Sequence, residues 1–164
     1  MKVIGMAGWS GSGKTTLVEQ VIDLLQARGL AVSLIKHAHH NFEIDHPGKD
    51  SYRHRHAGCR EVLITSAKRW AVVHELRGRE ELTLNDALAQ LSPCDLVIVE
   101  GFKHEAIAKI EIYRAEIGKP LLFPNDPHII AVASDAPVET TLPRLDLNQP
   151  ASIADFILKT SSLA

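Results

Sequence analysis

The stretch Gly8–Thr15, Gly-Trp-Ser-Gly-Ser-Gly-Lys-Thr, is the feature of this chain that most constrains its fold. It matches the phosphate-binding pattern G-x-x-x-x-G-K-[ST] at every fixed position. Residues 2–7 before it predict a short buried strand, and residues 16–28 after it predict a helix with one apolar face. A strand, a glycine-rich loop and a helix in this order predict a P-loop, although a Gly/Ser-rich turn could match the pattern by chance.

The residue types in this loop suit the binding of phosphate. Glycine allows positive φ angles and a close backbone approach, so that loop N–H groups can converge on phosphate oxygens at a helix N-terminus. Lys14 would neutralise the β and γ phosphates, and the Thr15 hydroxyl would bind Mg²⁺. The predicted phosphate-binding residues are Gly8, Ser10, Gly11, Ser12, Gly13, Lys14, Thr15 and Thr16.

The remaining chain alternates predicted strands and helices. We predict strands at 31–36, 96–99 and 129–133, an element at 107–113, and helices at 50–57, 87–91 and 151–159. Residues 61–65 and 69–76 predict two strands joined as a hairpin across residues 66–68. These elements predict an α/β fold of the P-loop NTPase type, a mostly parallel sheet flanked by helices with an antiparallel hairpin excursion.

Composition narrows the class of protein. A chain of 164 residues with 45% hydrophobic and 23% charged residues suits a single soluble domain over residues 1–164. The net charge of −2 gives no bulk attraction to nucleic acid or to an anionic membrane. Only two cysteines are present, and no N-terminal signal or membrane-spanning apolar run is evident. We therefore expect a cytoplasmic protein with neither nucleic acid nor membrane as its partner.

Three carboxylates are candidates for work on a bound triphosphate. Glu100 ends an apolar strand, where ligands bind in open α/β sheets, and an acidic residue there is the usual partner of Mg²⁺; a surface ion pair is the alternative. Asp45 and Asp50 lie in the loop after the second strand, where P-loop switch segments sense the γ-phosphate and position water. Either could instead be a turn or cap residue.

Ser134 and Asp135 follow the predicted strand at 129–133 and are candidates for recognition of the base. A carboxylate there can accept hydrogen bonds from both N1–H and the N2 amino group of guanine, and adenine offers no such pair. The full Asn-Lys-x-Asp motif is absent, and Asp135 beside Pro137 could also be a turn former. The pattern favours GTP over ATP.

Six of the nine histidines crowd into twenty residues beside Cys59. They are His37, His39, His40, His46, His54 and His56. Their density is compatible with a transition-metal site, but the spacing does not follow a known ligand pattern. A polar cleft near phosphate is the favoured interpretation.

Five segments together resemble the MobB family of molybdopterin-guanine dinucleotide biosynthesis adapter proteins. They are the P-loop at 9–15 and the segments at 35–40, 47–52, 99–105 and 132–135. The resemblance covers nearly the whole chain. It implies a P-loop fold of the SIMIBI class, GTP with Mg²⁺, a homodimer, and partnership with the guanylyltransferase MobA that attaches GMP to molybdopterin.

Within that resemblance, Asp45 and Asp50 fall at switch I carboxylates and Glu100 at the strand-end metal carboxylate. Trp9 and Ser10 stand where some relatives have a lysine that crosses the dimer. The expected output is binding, with at most slow hydrolysis of GTP. The alternatives are a metal-delivery GTPase that uses the histidine cluster and a small-molecule kinase. A kinase normally needs an arginine-rich lid over the phosphates, and Arg53, Arg55 and Arg60 make only a weak case for one.

The predicted hairpin also carries more apolar surface than a projecting hairpin can hide alone. Its apolar residues are Val62, Leu63, Ile64, Trp70, Val72 and Val73. Surfaces and free strand edges of this kind pair with a partner, so we expect the hairpin to build part of the dimer. The alternative is that it folds back on its own sheet.

Overall fold

The computed structural model describes residues 1–38 and 42–163, and it divides the chain into two compact units. The larger unit contains residues 1–37 and the chain from residue 84 onward, and the smaller unit contains residues 38–83. Two compact units can unfold in one step or in two, so the single domain expected from the sequence stays a prediction.

Within the described residues the regular elements alternate along the chain. In chain order they are β1 (Lys2–Ala7), α1 (Lys14–Ala27), β2 (Val32–Lys36), α2 (Asp50–His56), β3 (Glu61–Thr65), β4 (Trp70–His74), α3 (Leu84–Ala89), β5 (Leu96–Glu100), β6 (Lys109–Tyr113), β7 (Ile129–Ser134), β8 (Arg144–Asp146) and α4 (Pro150–Ser161). Two 3-10 helices span Ala115–Ile117 and Phe123–Asn125.

The larger unit is built on a parallel sheet with the strand order β2-β5-β1-β6-β7-β8. All five residues of β5 are buried, as the continuous apolar run in the sequence predicted for a central parallel strand. Because the strands are parallel, their carboxyl ends meet at one edge of the sheet. The ends of β1, β5, β6 and β7 are therefore brought together there, which is where ligands bind in open α/β folds.

Helices cover the two faces of this sheet. On one face α1 and α4 pack their apolar sides against the sheet. The buried residues there include Leu17, Val21, Leu25, Ile153 and Ile157 with Ile4, Ile98 and Ile110 of the strands. On the other face Leu84 of α3 packs with Val97 and Val99. Each fully buried apolar side chain of this size contributes about 1.5 to 3 kcal/mol, so these contacts fix α1 and the loop that precedes it.

The smaller unit contains α2 and the predicted hairpin. Strands β3 and β4 pair antiparallel, with Leu63 opposite Val72 and Thr65 opposite Trp70. At the turn, the Ser66 hydroxyl oxygen accepts hydrogen bonds from the N–H groups of Lys68 (3.3 Å) and Arg69 (3.2 Å). The mostly parallel sheet and the hairpin excursion predicted from the sequence are both confirmed.

One local prediction was wrong, and one element was missed. The helix expected at 87–91 spans Leu84–Ala89, because the Leu84 side chain packs against Val97 and Val99 and draws the preceding turn into the helix. Strand β8 was missed because it has only three residues and directly follows Pro143. It completes the sheet beside β7, and the Pro143 carbonyl accepts a hydrogen bond from the Val132 N–H at 3.0 Å.

Candidate nucleotide-binding site

The loop between β1 and α1 requires glycine for steric reasons. Gly8, Gly11 and Gly13 have φ angles of 148°, 84° and 84°. A Cβ atom on Gly8 would lie 2.5 Å from the Ile112 carbonyl oxygen and 2.9 Å from the Ser12 hydroxyl, closer than side-chain carbons come to such atoms. Gly13 caps α1, whose first-turn N–H groups have no partner within the helix and face the loop. The loop is therefore shaped to receive an anion.

The Lys14 ammonium group lies inside this loop. It donates hydrogen bonds to the carbonyl oxygens of Gly8 (2.8 Å) and Trp9 (2.7 Å), and more weakly to the Ser12 hydroxyl (3.4 Å). Burial lowers the pKa of Lys14 below its ordinary value; the Glu100 carboxylate opposes this shift, and the cations of Lys103 and Lys36 add to it. Several positive charges thus converge on the loop, which suits a polyphosphate.

Thr15 and Glu100 offer the two oxygen donors expected for a divalent cation. Thr15 is exposed in the first turn of α1. Glu100 ends β5, is 5% exposed, and lies 3.4 Å from the Lys36 ammonium. The register pairs Met6 with Glu100, which places this carboxylate at the sheet edge where the loop begins. A hydroxyl and a carboxylate fit Mg²⁺, which binds few protein groups and keeps water and phosphate oxygens as its other ligands.

Arg114 connects the loop to the candidate base-recognition residues. It follows β6, and its Nη1 donates to the Asp135 carboxylate at 2.7 Å. Its Nε donates to the Ser12 carbonyl oxygen at 3.3 Å. Sequence reasoning missed Arg114, because its position depends on β6 lying between β1 and β7. A basic residue directly after a strand was the only signal in the sequence.

A second contact of the loop was also missed. The indole N–H of Trp9 donates to the Pro120 carbonyl oxygen at 2.7 Å. The ammonium groups of Lys103 and Lys119 lie 5.7 Å and 5.8 Å from the centre of the Trp9 ring, within the range of cation–π attraction. The chain after β6 therefore contacts the loop at both Arg114 and Pro120.

The candidate switch carboxylates, Asp45 and Asp50, lie in the smaller unit. Asp45 is 7% exposed and forms a two-point ion pair with Arg55. The hydrogen bond from Arg55 holds the pKa of Asp45 below its usual range, and the carboxylates around Arg55 raise the pKa of its guanidinium. Asp50 is exposed at the first residue of α2. Their predicted catalytic role stays a prediction.

Arg55 also bonds to two further carboxylates. Its guanidinium donates to Glu43 at 2.6 Å and to Glu75. An arginine held by three carboxylates is not available to a phosphate lid, which weakens the kinase alternative.

The histidine cluster predicted from the sequence is only partly visible. His39 and His40 lie outside the described residues. His37 packs on Phe102 with ring centres 4.8 Å apart, and His56 stacks on Tyr52 at 3.8 Å. Among the residues that the structure describes, no group of three His, Cys, Asp or Glu side chains could hold a metal ion. His56 also forms a hydrogen bond of 2.8 Å between Nδ1 and the Tyr52 carbonyl oxygen.

In this parallel sheet, β1 leads through a glycine loop into α1, and Glu100 ends β5, the strand beside β1. This arrangement defines the P-loop class of nucleotide-binding folds. The family model described as "MobB: Molybdopterin guanine dinucleotide synthesis protein B" matches residues 3–135. The chain belongs to this family.

Named relatives agree with that assignment. The chain is 44% identical over 160 residues to the molybdopterin-guanine dinucleotide biosynthesis adapter protein of Escherichia coli K12, covering 96% of this chain and 91% of the relative. It is 46% identical over 159 residues to the protein of the same name from Haemophilus influenzae, covering 94% and 86%.

A solved structure shows the same fold. The crystal structure of molybdopterin-guanine biosynthesis protein B superposes with a TM-score of 0.77 at 28% identity, covering 96% of this chain and 99% of that one.

Within residues 1–38 and 42–163, no helix is long and apolar enough to cross a membrane.

Proposed function

We propose that this chain is a GTP-binding adapter in the biosynthesis of molybdopterin guanine dinucleotide, and that it assists the guanylyltransferase MobA. The observation that carries the proposal is a formed P-loop, with Lys14 at its centre, in a member of the MobB family. The relatives from E. coli and H. influenzae are named as adapters in this biosynthesis.

In this proposal the loop and the neighbouring strand ends divide the work of binding. Residues 8–16 cradle the phosphates, and Lys14 leaves the Gly8 and Trp9 carbonyls to contact phosphate oxygens. Thr15 and Glu100 hold Mg²⁺, which supplies positive charge beside the β and γ phosphates. Ser134 and Asp135 take the guanine base, with Asp135 accepting its N1–H and N2 hydrogens.

Asp45 and Asp50 are proposed to orient the water that attacks the γ-phosphate. The pair with Arg55 engages both carboxylate oxygens of Asp45 and lowers its pKa, so Asp45 should act on a water most effectively once that pair opens. Hydrolysis by the isolated protein is therefore proposed to be slow, with binding as the main output.

A homodimer built partly through the hairpin is proposed from its exposed apolar face. Leu63, Trp70 and Val72 are 61%, 67% and 44% exposed, and their register places them on one face of the β3–β4 pair. A second copy of this face would cover them.

The cytoplasm is proposed as the site of action because both cysteines, Cys59 and Cys94, are free thiols.

The proposal is tested by calorimetric titration of wild type and Lys14→Ala with GTP, ATP, molybdopterin and purified MobA. Wild type should bind GTP with Mg²⁺, and Lys14→Ala should lose roughly tenfold to hundredfold in affinity or more, because a charge-assisted hydrogen bond contributes about 1.5 to 3 kcal/mol.

The matched control is Lys159→Ala, which removes an exposed lysine from the last turn of α4. It should bind GTP as wild type does. Undiminished GTP affinity in Lys14→Ala would contradict the P-loop assignment, and no binding to MobA with or without GTP would contradict the adapter role.

A further inference from the structure

Arg114 is the side chain that touches both halves of the proposed nucleotide site. We propose that Arg114 is a positioning residue that ties the Asp135 carboxylate to the phosphate loop and thereby sets the preference for guanine over adenine. This inference rests on the proposed function, since it takes Asp135 to be the group that recognises the base.

The guanidinium group bridges two fixed acceptors. One end donates from Nη1 to Asp135 Oδ2 at 2.7 Å, and Nε donates to the Ser12 carbonyl oxygen at 3.3 Å. Because a guanidinium is planar and rigid, these two bonds fix the spacing between the carboxylate and the loop. A lysine, with a single flexible ammonium, could not hold both acceptors in one plane.

The pairing leaves Asp135 able to accept from a base. A carboxylate has about four acceptor sites, and Arg114 uses one lone pair of Oδ2. The Asp135 side chain is 24% exposed, so it remains open to a ligand. The Ser134 hydroxyl oxygen accepts from the Ala136 N–H at 3.1 Å, which fixes the turn that carries Asp135.

Holding Asp135 in advance should raise both affinity and selectivity. A carboxylate on a strand-end turn otherwise loses rotamer freedom when the ligand binds, and a group ordered beforehand avoids that cost. The positive charge of Arg114 also offsets the repulsion between Asp135 and an approaching polyphosphate. The ordering of Asp135 favours the base that Asp135 can recognise, whereas the charge effect acts on every polyphosphate alike.

The phosphate loop is in close contact with the same guanidinium. A Cβ atom added to Gly13 would lie 3.3 Å from Arg114 Nε and 3.5 Å from Nη2. The chain that follows Arg114 is held in place as well, since Pro120 accepts the Trp9 indole N–H and the buried Glu111 carboxylate accepts the Leu122 and Phe123 N–H groups. Loop, Arg114 and Asp135 therefore form one connected set.

The test measures dissociation constants of wild type and Arg114→Ala for GTP, ATP and inorganic tripolyphosphate, each with Mg²⁺. The ratio of GTP to ATP affinity should fall by about tenfold in the variant, because Asp135 loses one charge-assisted hydrogen-bonding partner. The affinities for tripolyphosphate and ATP should fall less than the affinity for GTP, because Arg114 acts on the phosphate loop only through the Ser12 carbonyl and on the base through Asp135. Arg114→Lys, which keeps the charge, should restore part of the ratio.

Two further variants locate the effect. Asp135→Ala should lower the ratio to a similar degree, and the double variant should lose no more than the larger single loss, because both act on the same contact. Arg28→Ala, which breaks a 2.6 Å ion pair between the residue that follows α1 and Asp155 of α4, is the control and should leave the ratio unchanged. If Arg114→Ala does not fold, Arg114→Gln, which also removes the charge, replaces it in the comparison.

Failure of guanine recognition by Asp135 and failure of the positioning role of Arg114 give different results. A wild-type protein that binds GTP and ATP equally would overturn guanine recognition by Asp135, and this inference with it. A wild-type preference that survives in Arg114→Ala would overturn this inference alone. An equal loss of affinity for all three ligands would also overturn it, since it would place Arg114 on the phosphates.

Discussion

Arg55 shows how one residue can organise the smaller unit. It is 8% exposed and bonds to Asp45, Glu43 and Glu75, which come from the chain before α2 and from the chain after β4. A buried arginine is stable only when its donors are satisfied, and these carboxylates satisfy them. The loop before α2 and the chain after the hairpin are thereby held against one side chain.

Replacement of Asp45 by asparagine should destabilise the smaller unit and change its acid sensitivity. The folded-state pKa of Asp45 lies below the ordinary value of 3.8, so its stabilising effect is present above that pH and is lost as the pH falls through the depressed pKa. Asp45→Asn should therefore be less stable at neutral pH and should lose less additional stability in acid.

Fluorescence of Trp70 in a Trp9→Phe background measures this, because Trp70 lies on β4 in the same unit. Asp50→Asn, which changes an exposed carboxylate at the start of α2, is the matched control. Identical acid titrations for wild type and Asp45→Asn would show that the pair with Arg55 contributes nothing.

Residues that belong to a local motif could be predicted from the sequence, and residues placed by the sheet could not. Lys14 and Thr15 are fixed by their spacing from the glycines, and Glu100 by the end of an apolar run. Arg114 depends on the order β1-β6-β7, which periodicity does not reveal. The partner of Asp45 was missed for a similar reason, since Arg55 lies ten residues away across a polar loop.

At the scale of elements, β6 places charged residues in the interior of the sheet. Lys109 is 3% exposed, and its ammonium donates to Asp126 at 2.8 Å and to the Lys103 carbonyl oxygen at 2.9 Å. Burial raises the pKa of Glu111, the next charged residue on the same side of the strand. These groups anchor the irregular chain around β6, which is how a segment without regular structure keeps its contact with the phosphate loop.

The hairpin should be required for dimer formation. Trp70→Lys together with Val72→Lys places two charges on the exposed apolar face, which would have to be buried in a dimer at a large cost in solvation. The variant should sediment as a monomer of 18.0 kDa, and wild type at twice that mass.

Gln20→Lys with Gln26→Lys, both at exposed positions of α1, adds two lysines elsewhere with the same change in net charge and should leave the dimer intact. A dimer that survives the hairpin substitutions must use another surface.

Strand pairing within the hairpin was predictable because its two runs of apolar and β-branched residues are long and joined by a short turn, whereas β8 is too short to give any periodic signal.

At the scale of the whole molecule, the isolated protein should hydrolyse GTP slowly. In-line attack needs an oriented water and neutralised charge, and an arginine finger alone contributes roughly 10³ to 10⁵ in rate where one is present. Arg114 is committed to Asp135 and Ser12, and Asp45 is committed to Arg55. The single-turnover rate should therefore lie near the unassisted range of about 10⁻⁴ to 10⁻² per second.

Addition of a partner that frees and orders these carboxylates should raise that rate, and Asp45→Asn or Asp50→Asn should remove the rise while leaving GTP binding largely unchanged. The rate measured with Lys14→Ala, which should not bind GTP tightly, is subtracted as the background rate of hydrolysis. Rapid hydrolysis by the protein alone would favour an enzyme over an adapter.

The position of β5 in the sheet has a consequence for how the chain is made. In the finished sheet β5 lies between β2 and β1, yet it follows both in the sequence. During synthesis on the ribosome, β1 and β2 therefore emerge before β5, the strand that pairs with both of them. The whole of α2 and the hairpin also emerges before β5. The hairpin is therefore synthesised before Glu100, so a dimer of the kind proposed above would be able to form between neighbouring nascent chains before the proposed nucleotide site is complete.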